Sequence, residues 1–348
     1  MNSSPLKHEG WLYGLAFLIA LALRFIALGA SPLTDSEATL ALQALAITRG
    51  ESPLLAPQPG YILFTAVLFA ITESTNFLAR FLPALAGSVL VFIPYFFREK
   101  INPRPALILA FLFAFDPGLV ALSRQANGTV LAVTFVLFAW AMWNHKRVIT
   151  FGIFAGLALL SGPSLWAGLL TLGLTRLFIQ GIKPRATESQ SPIENQESST
   201  LAPDARAGFV NQESPVSSLQ FSNPQFFLPL IATLLLCGTL FFLAPNGLSA
   251  ALSSIPAYFS GWVAPTGTPP GRVLFTFLAY ELLGIFLASL AILRALRTNG
   301  RRAIRLMLWL GVALLLAVFY RQPGELAWAI IPLLTLGALE LSRVFDLH

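Results

Sequence analysis

Two acids, Asp35 and Glu37, stand just past the end of the first long apolar stretch of this 348-residue chain. A carboxylate at the point where a lipid-embedded segment meets water can orient or deprotonate a hydroxyl group. It can also do no more than cap a helix, since Asp and Glu in a first turn suit the helix dipole. Arg80 and Arg124 each lie beside an apolar run. A guanidinium offers a planar fork of donors that fits a phosphate, or it can serve as a plain interfacial anchor. An acid for a hydroxyl and cations for a phosphate are the parts needed for chemistry on a lipid-linked substrate.

Other polar residues lie inside apolar surroundings. Arg24 falls within the first run, Asp116 sits between Phe115 and Pro117, and Glu281 follows Tyr280 in a later run. Charges within a membrane are costly and tend to be paired or functional. Arg24 can snorkel toward the nearer surface, and Asp116 can support a bent helix as a buried hydrogen-bonded residue. A partner for Glu281 is Arg24 or a substrate hydroxyl. Tyr258 and Trp262 could stack on a sugar. Glu51, Glu73 and Glu325 read as solvated loop charges, and His8, His145 and His348 as remote from the acids. Zinc spacing, a phosphate-cradling glycine loop and a Ser-His-Asp arrangement are all missing from the sequence. The lone cysteine, Cys237, excludes an internal disulfide.

The elements that must position these residues are membrane helices. Apolar residues make up 56% of the chain and charged residues 11%, and the mean hydropathy is +0.72. A soluble domain is usually about a quarter charged, so the class is a multi-span membrane protein. The net charge of +6 does not mark a nucleic-acid binder. Its Lys and Arg sit in short clusters between apolar runs, as cytoplasmic loops do.

Spans are expected near 11–30, 78–97, 105–122, 128–143, 148–162, 165–182, 226–244, 272–294, 303–320 and 325–342. The apolar stretch 60–72 is excluded from this set by charge. If it crossed, Arg98, Lys100 and Arg104 would lie outside; as an interfacial or re-entrant helix it leaves them inside with Lys146, Arg147, Lys183 and Arg185. About ten spans follow, with both termini cytoplasmic. The outer face receives 31–77, the turn 123–128, the loop 245–271 and the turn 321–324. Residues 35–49 are expected to form a surface helix capped by Thr34 or Asp35. Residues 183–225, rich in Ser, Gln, Asn, Glu and Pro, read as a disordered cytoplasmic linker between an N-terminal module, 1–182, and a C-terminal module, 226–348.

The N-terminal module resembles the GT-C superfamily of membrane glycosyltransferases, and most of all its family 39, protein-mannosyltransferase-like bacterial members. The matching residues are Arg24, Leu28-Gly29, Pro32 and Asp35-Ser36-Glu37. The run Phe77-Leu78-Ala79-Arg80-Phe81-Leu82-Pro83-Ala84-Leu85-Ala86-Gly87 and the turn Ser123-Arg124-Gln125-Ala126-Asn127 after Pro117 also match. The likeness covers roughly residues 15–182; beyond the linker it is only hydrophobicity and Tyr280-Glu281. Two departures stand out. The family's adjacent Asp-Glu is here Asp-x-Glu, so either Asp35 or Glu37 can be the base. The family's acid in the second outer turn is replaced by Asn127-Gly128.

The resemblance implies an all-α, polytopic GT-C-type bundle with interfacial helices in its first outer loop. It implies an inverting hexosyltransferase of the plasma membrane, acting on the extracytoplasmic face. The donor would be a polyprenyl-phosphate sugar; the acceptor, a protein, lipid or glycan, is left open. Asp35 and Glu37 are the expected catalytic residues. Arg80, Arg124, Asn127, Asp116, Arg24, Tyr280 and Glu281 are the expected substrate-binding residues, with no metal and no cofactor. Membrane lipids are the remaining partners, and nucleic acid is not one. Two other readings fit the same composition: a flippase for a lipid-linked sugar, and a catalytically silent scaffold.

Overall fold

The structure, a computed structural model, describes residues 9–181, 224–264, 268–298 and 300–346. The expected linker 183–225 therefore lies almost wholly outside the described residues. Every regular element among them is a helix. In chain order the first are α1 (Glu9–Phe25), α2 (Asp35–Thr48), α3 (Pro59–Ile71), α4 (Asn76–Val89), the short α5 (Ile93–Phe96) and α6 (Arg98–Ile101), and α7 (Pro103–Phe115). Then come α8 (Pro117–Ser123), α9 (Thr129–Asn144), α10 (Val148–Leu160), α11 (Ser164–Gly181), α12 (Pro224–Gly238) and α13 (Asn246–Val263). The last are α14 (Pro270–Tyr280), α15 (Leu282–Thr298), α16 (Arg301–Tyr320) and α17 (Ala327–Asp346).

Lipid tails are as apolar as Leu, so helices in a membrane associate through close packing of small residues rather than through the hydrophobic effect. α1 packs on α7, and Ala16 and Ala20 on one side and Ala106, Ala110 and Ala114 on the other are fully buried. Their spacing of four places each set on one helix face. α9 is apolar all round, and the helices packed against it include α4, α10 and α11.

α2 and α3 occupy the first long connection, where surface helices are expected. In α2 the buried residues Glu37, Leu40, Ala41 and Ala44 form one stripe against α3, and Leu42 is exposed. α3 has 13 residues, about 20 Å of helix, which is short of a hydrocarbon core of about 30 Å. It is nonetheless deeply packed, with Tyr61, Ile62 and Leu63 fully buried. Tyr61 also repairs α4. Pro83 has no N–H to offer the carbonyl of Ala79, four residues earlier; the Tyr61 hydroxyl donates to that carbonyl at 2.7 Å.

Three helices among the described residues are long and apolar enough to cross a membrane, or six if each of three bent pairs is one span. The bends correct the expected spans. The span expected at 105–122 bends by 54° at Asp116, ahead of Pro117. The span expected at 272–294 is cut at Glu281 into α14 and α15, which diverge by 86°; neither glycine nor proline stands at that break. α10 and α11 turn by 120° through Ser161, Gly162 and Pro163, where Gly162 has φ +104°, a value open to glycine. The expected loop 245–271 is largely helix, since α13 fills Asn246–Val263.

The bundle has two distinct ends. At one, Arg98 pairs with Glu9 at 3.6 Å, Lys100 reaches the side chain of Asn144, and His145 meets the carbonyl of Phe96. The basic cluster at 98–100 thus comes beside the one that begins at Lys146. At the other end, residues 26–34, the start of α2, and the turns 124–128 and 161–163 converge, as the next bonds show.

Candidate functional site

Thr34 leads into α2 with extended backbone, and the Glu37 carboxylate reaches back to accept from the Thr34 N–H at 2.9 Å, half of a capping box. The same carboxylate is a hub. Its Oε1 accepts from Arg80 Nε at 2.9 Å and from the Ala126 N–H at 2.8 Å. Its Oε2 accepts from Arg80 Nη2 at 2.8 Å and from the Thr34 hydroxyl at 3.0 Å. Burial alone would raise the pKa of Glu37. The bonds from Arg80, Thr34 and Ala126 outweigh it and bring the pKa down to about 2. Glu37 is therefore ionised, buried and fully occupied.

Asp35 is its opposite. It begins α2 with its side chain exposed. Among the described residues no donor bonds its carboxylate, while its backbone carbonyl accepts from the Thr39 hydroxyl at 2.8 Å. The Asp-x-Glu spacing accounts for the division. Residues two apart on a helix face different ways, so one acid turns into the protein and the other toward solvent.

Arg80 divides its remaining donors among the carbonyls of Leu28, Ser31 and Pro32 and the Ser31 hydroxyl, at 2.9 to 3.3 Å. It thereby fixes the connection between α1 and α2. Arg124 donates to the carbonyls of Leu23, Arg24, Ile26 and Ala27 at 2.8 to 3.2 Å. These carbonyls lie in the last turn of α1 and just beyond it, where a cation is favoured. Arg124 remains half-buried. Asn127 is held locally, its Oδ1 accepting from the Thr129 N–H and its Nδ2 donating to Gln125.

Gln58 extends this network. Its Oε1 accepts from the Gly128 N–H at 2.6 Å, and a Cβ added at Gly162 would stand 2.7 Å from the Gln58 Cβ. The turn 161–163 thus belongs to the same end of the bundle as the turn 124–128. Gly324 also approaches Thr129, which adds the turn 321–324.

Arg24, Asp116 and Glu281 form a second group deeper in the bundle. Arg24 is fully buried and donates to the Ser123 hydroxyl at 3.0 Å and to the carbonyls of Ala20, Ala114 and Phe113 at 2.9 to 3.4 Å. Asp116 caps α8 by accepting from the Leu119 N–H at 2.7 Å. The Glu281 carboxyl lies against that of Asp116. Tyr280, beside it, is exposed. Of the residues named from sequence, Glu37 and Arg80 thus meet directly, as do Asp116 and Glu281, while Arg24 lies near Asp116 without an ion pair to either acid, and Arg124 bridges the two sets through the end of α1.

Three features escaped the sequence reading. Gln58 carried no motif. Glu325, expected to be solvated, is 5% exposed and accepts from the Ser164 hydroxyl at 2.9 Å; its neighbours Pro323 and Gly324 made it look like a turn residue. Arg272, in the first turn of α14, is an exposed cation at the edge of the span expected at 272–294, where no motif marked it. A cavity of about 520 Å³ lies between the end of α2, α3 and the segment 240–246, lined mainly by apolar groups such as Leu55, Ala66, Ile71 and Phe241.

No protein-family model matches the sequence, and no curated protein matches it either. Solved structures do match the fold. The crystal structure of ArnT from Cupriavidus metallidurans, bound to undecaprenyl phosphate, aligns with a TM-score of 0.64 at 14% identity, covering 97% of this chain and 61% of ArnT. The oligosaccharyltransferase of Archaeoglobus fulgidus, tethered through a disulfide to an acceptor peptide containing the NVT sequon, aligns with a TM-score of 0.52 at 16% identity. That match covers 98% of this chain and 50% of the transferase. The chain thus spans about three-fifths of the first protein and half of the second. The likeness passes well beyond residue 182 and through the C-terminal helices, and the chain has the all-helical, polytopic membrane fold of the GT-C type.

Proposed function

We propose that this chain is a membrane glycosyltransferase that moves a sugar from a polyprenyl-phosphate donor to an acceptor hydroxyl. The observation that carries the reading is the division of labour between the two acids. Glu37 is locked into the protein by Arg80, Thr34 and Ala126, and Asp35 projects from the helix turn that this lock holds still. A base needs an uncommitted lone pair on a rigid mount, and Asp35 has both. The likeness to ArnT, solved with undecaprenyl phosphate, supports a donor of that chemical class.

In the reaction, the acceptor oxygen bonds to the anomeric carbon as the bond from that carbon to the phosphate oxygen breaks. The hydroxyl proton passes to Asp35, and polyprenyl phosphate leaves with the electron pair. Attack opposite the leaving group inverts the anomeric centre. Arg124, partly exposed at the end of α1, is the cation proposed for the phosphate. Arg80 acts through Glu37 as a positioning residue. No metal is part of the proposal, and the reaction would take place on the extracytoplasmic side of the plasma membrane.

A transfer assay with purified protein, polyprenyl-phosphate sugars and hydroxyl acceptors tests this. Asp35→Asn should bind donor, detected by native mass spectrometry, and lose transfer. Arg124→Ala should weaken donor binding. Full transfer by Asp35→Asn would refute the assignment of the base, and an absence of donor binding by the unmodified protein would refute the function.

A further inference from the structure

The group formed by Arg24, Asp116 and Glu281 is not used by the reaction above. Asp116 is 4% exposed, Glu281 1% and Arg24 fully buried. The two carboxyls come from the two helix breaks, α7/α8 and α14/α15, which bend by 54° and 86°. Among the described residues, neither oxygen of Glu281 receives a bond from an N–H or O–H donor. The group it faces is another carboxyl, which accepts but cannot donate unless protonated.

Close packing excludes other occupants. A Cβ added at Gly118 would lie 2.2 Å from Glu281 Oε1, 2.9 Å from Ile330 Cδ1 and 3.4 Å from Asp116 Oδ2. Gly118, Ile330 and Leu333 crowd the two carboxyls, and among the described residues no third acid, histidine or cysteine joins them as a metal site would need. Among the described residues, the cation whose charge reaches the pair is Arg24 on α1, which acts on Asp116. Charged groups on neighbouring elements are engaged elsewhere, Arg80 with Glu37, Arg124 with the carbonyls at the end of α1, Glu325 with Ser164, and Glu340 with Arg294. Arg272 stands at the opposite end of α14 from Glu281.

We infer that Asp116 and Glu281 share one proton, and that this proton latches the break between α14 and α15 to the start of α8. One proton on the pair balances one carboxylate against Arg24 and makes the whole group neutral. It also converts two mutually repelling acceptors into a donor and an acceptor. Two carboxylates in contact inside a bundle cannot both stay ionised. The latch joins the N-terminal helices to the C-terminal ones, and it does not depend on the transferase reading.

Infrared spectroscopy of the full chain in lipid nanodiscs at neutral pH tests the inference. A neutral carboxylic acid has a carbonyl stretch above the amide band, and it shifts in D₂O. The unmodified protein should show such a component, and Glu281→Gln should lose it. Glutamine keeps the shape and donates to an ionised Asp116, so this variant should stay folded. Glu325→Gln, a control for the other buried acid, should leave the component in place. Thermal unfolding gives an independent reading. Stability of the unmodified protein should fall as the pH rises from the ordinary carboxylate range through neutrality, because the folded pair keeps a proton that the unfolded chain gives up, and Glu281→Gln should lack that component of the fall. A spectrum unchanged by Glu281→Gln would overturn the proposal, as would a component that disappears only in Glu325→Gln.

Discussion

Arg80 grips Glu37 through two parallel bonds, Nε to Oε1 at 2.9 Å and Nη2 to Oε2 at 2.8 Å, with both side chains about nine-tenths buried. Deleting one partner strands the other's charge, so Arg80→Ala or Glu37→Ala should cost about 3–5 kcal/mol in stability. The pH response follows from the low pKa of Glu37. A carboxylate held at about 2, against an ordinary 4.5, adds stability that is complete above 4.5. That stability is lost as the pH falls through 4.5 toward 2. Thermal melts of the unmodified protein should show this acid loss, and Glu37→Gln should lack it.

Asp35 lies outside that lock. Asp35→Asn should therefore melt within about 0.5 kcal/mol of the unmodified protein, as exposed substitutions do. Its transfer rate should drop by about 10²- to 10⁴-fold, the usual contribution of a general base. Kinetics and melting curves measured on one preparation separate the two effects.

Tyr61 and Pro83 should be coupled. Tyr61→Phe leaves the Ala79 carbonyl without the donor that replaces the missing proline N–H, at a cost of about 1–3 kcal/mol. In a Pro83→Ala background the helix supplies its own bond. The same Tyr61→Phe change should then cost markedly less, and a double-mutant cycle by thermal unfolding reads the difference.

Arg24 serves four acceptors on three segments of chain. Lysine keeps the charge but not the planar fork. Arg24→Lys should leave at least one buried acceptor unmet and lower stability by about 1–3 kcal/mol, measured by thermal unfolding in detergent.

Much of this was legible in the sequence because it rests on local chemistry. Helices at 35–49 and 60–72 appear as α2 and α3; an acidic first turn marks the first, and the apolar run with its flanking basic clusters sets the second apart. The break at Asp116 was announced by Pro117. The break at Glu281 was not, because no residue there forbids helix and its cause is tertiary, the approach to Asp116 beside Gly118. The equivalence of Asp35 and Glu37 likewise could not be resolved from spacing. Choosing between them required the location of Arg80 and of the Ala126 N–H, 43 and 89 residues from Glu37. Glu325 was misread because composition describes its turn and not the Ser164 hydroxyl it meets.

The turn after α8 is fastened at Ala126 and Gly128 through peptide nitrogens, one to Glu37 and one to Gln58. A fastening made by the main chain is indifferent to the side chain it carries. Gln125, exposed just ahead of these anchors, can be exchanged without loosening the mount of Asp35. The side chain at that position is thus free to vary in size and polarity while the turn keeps its shape.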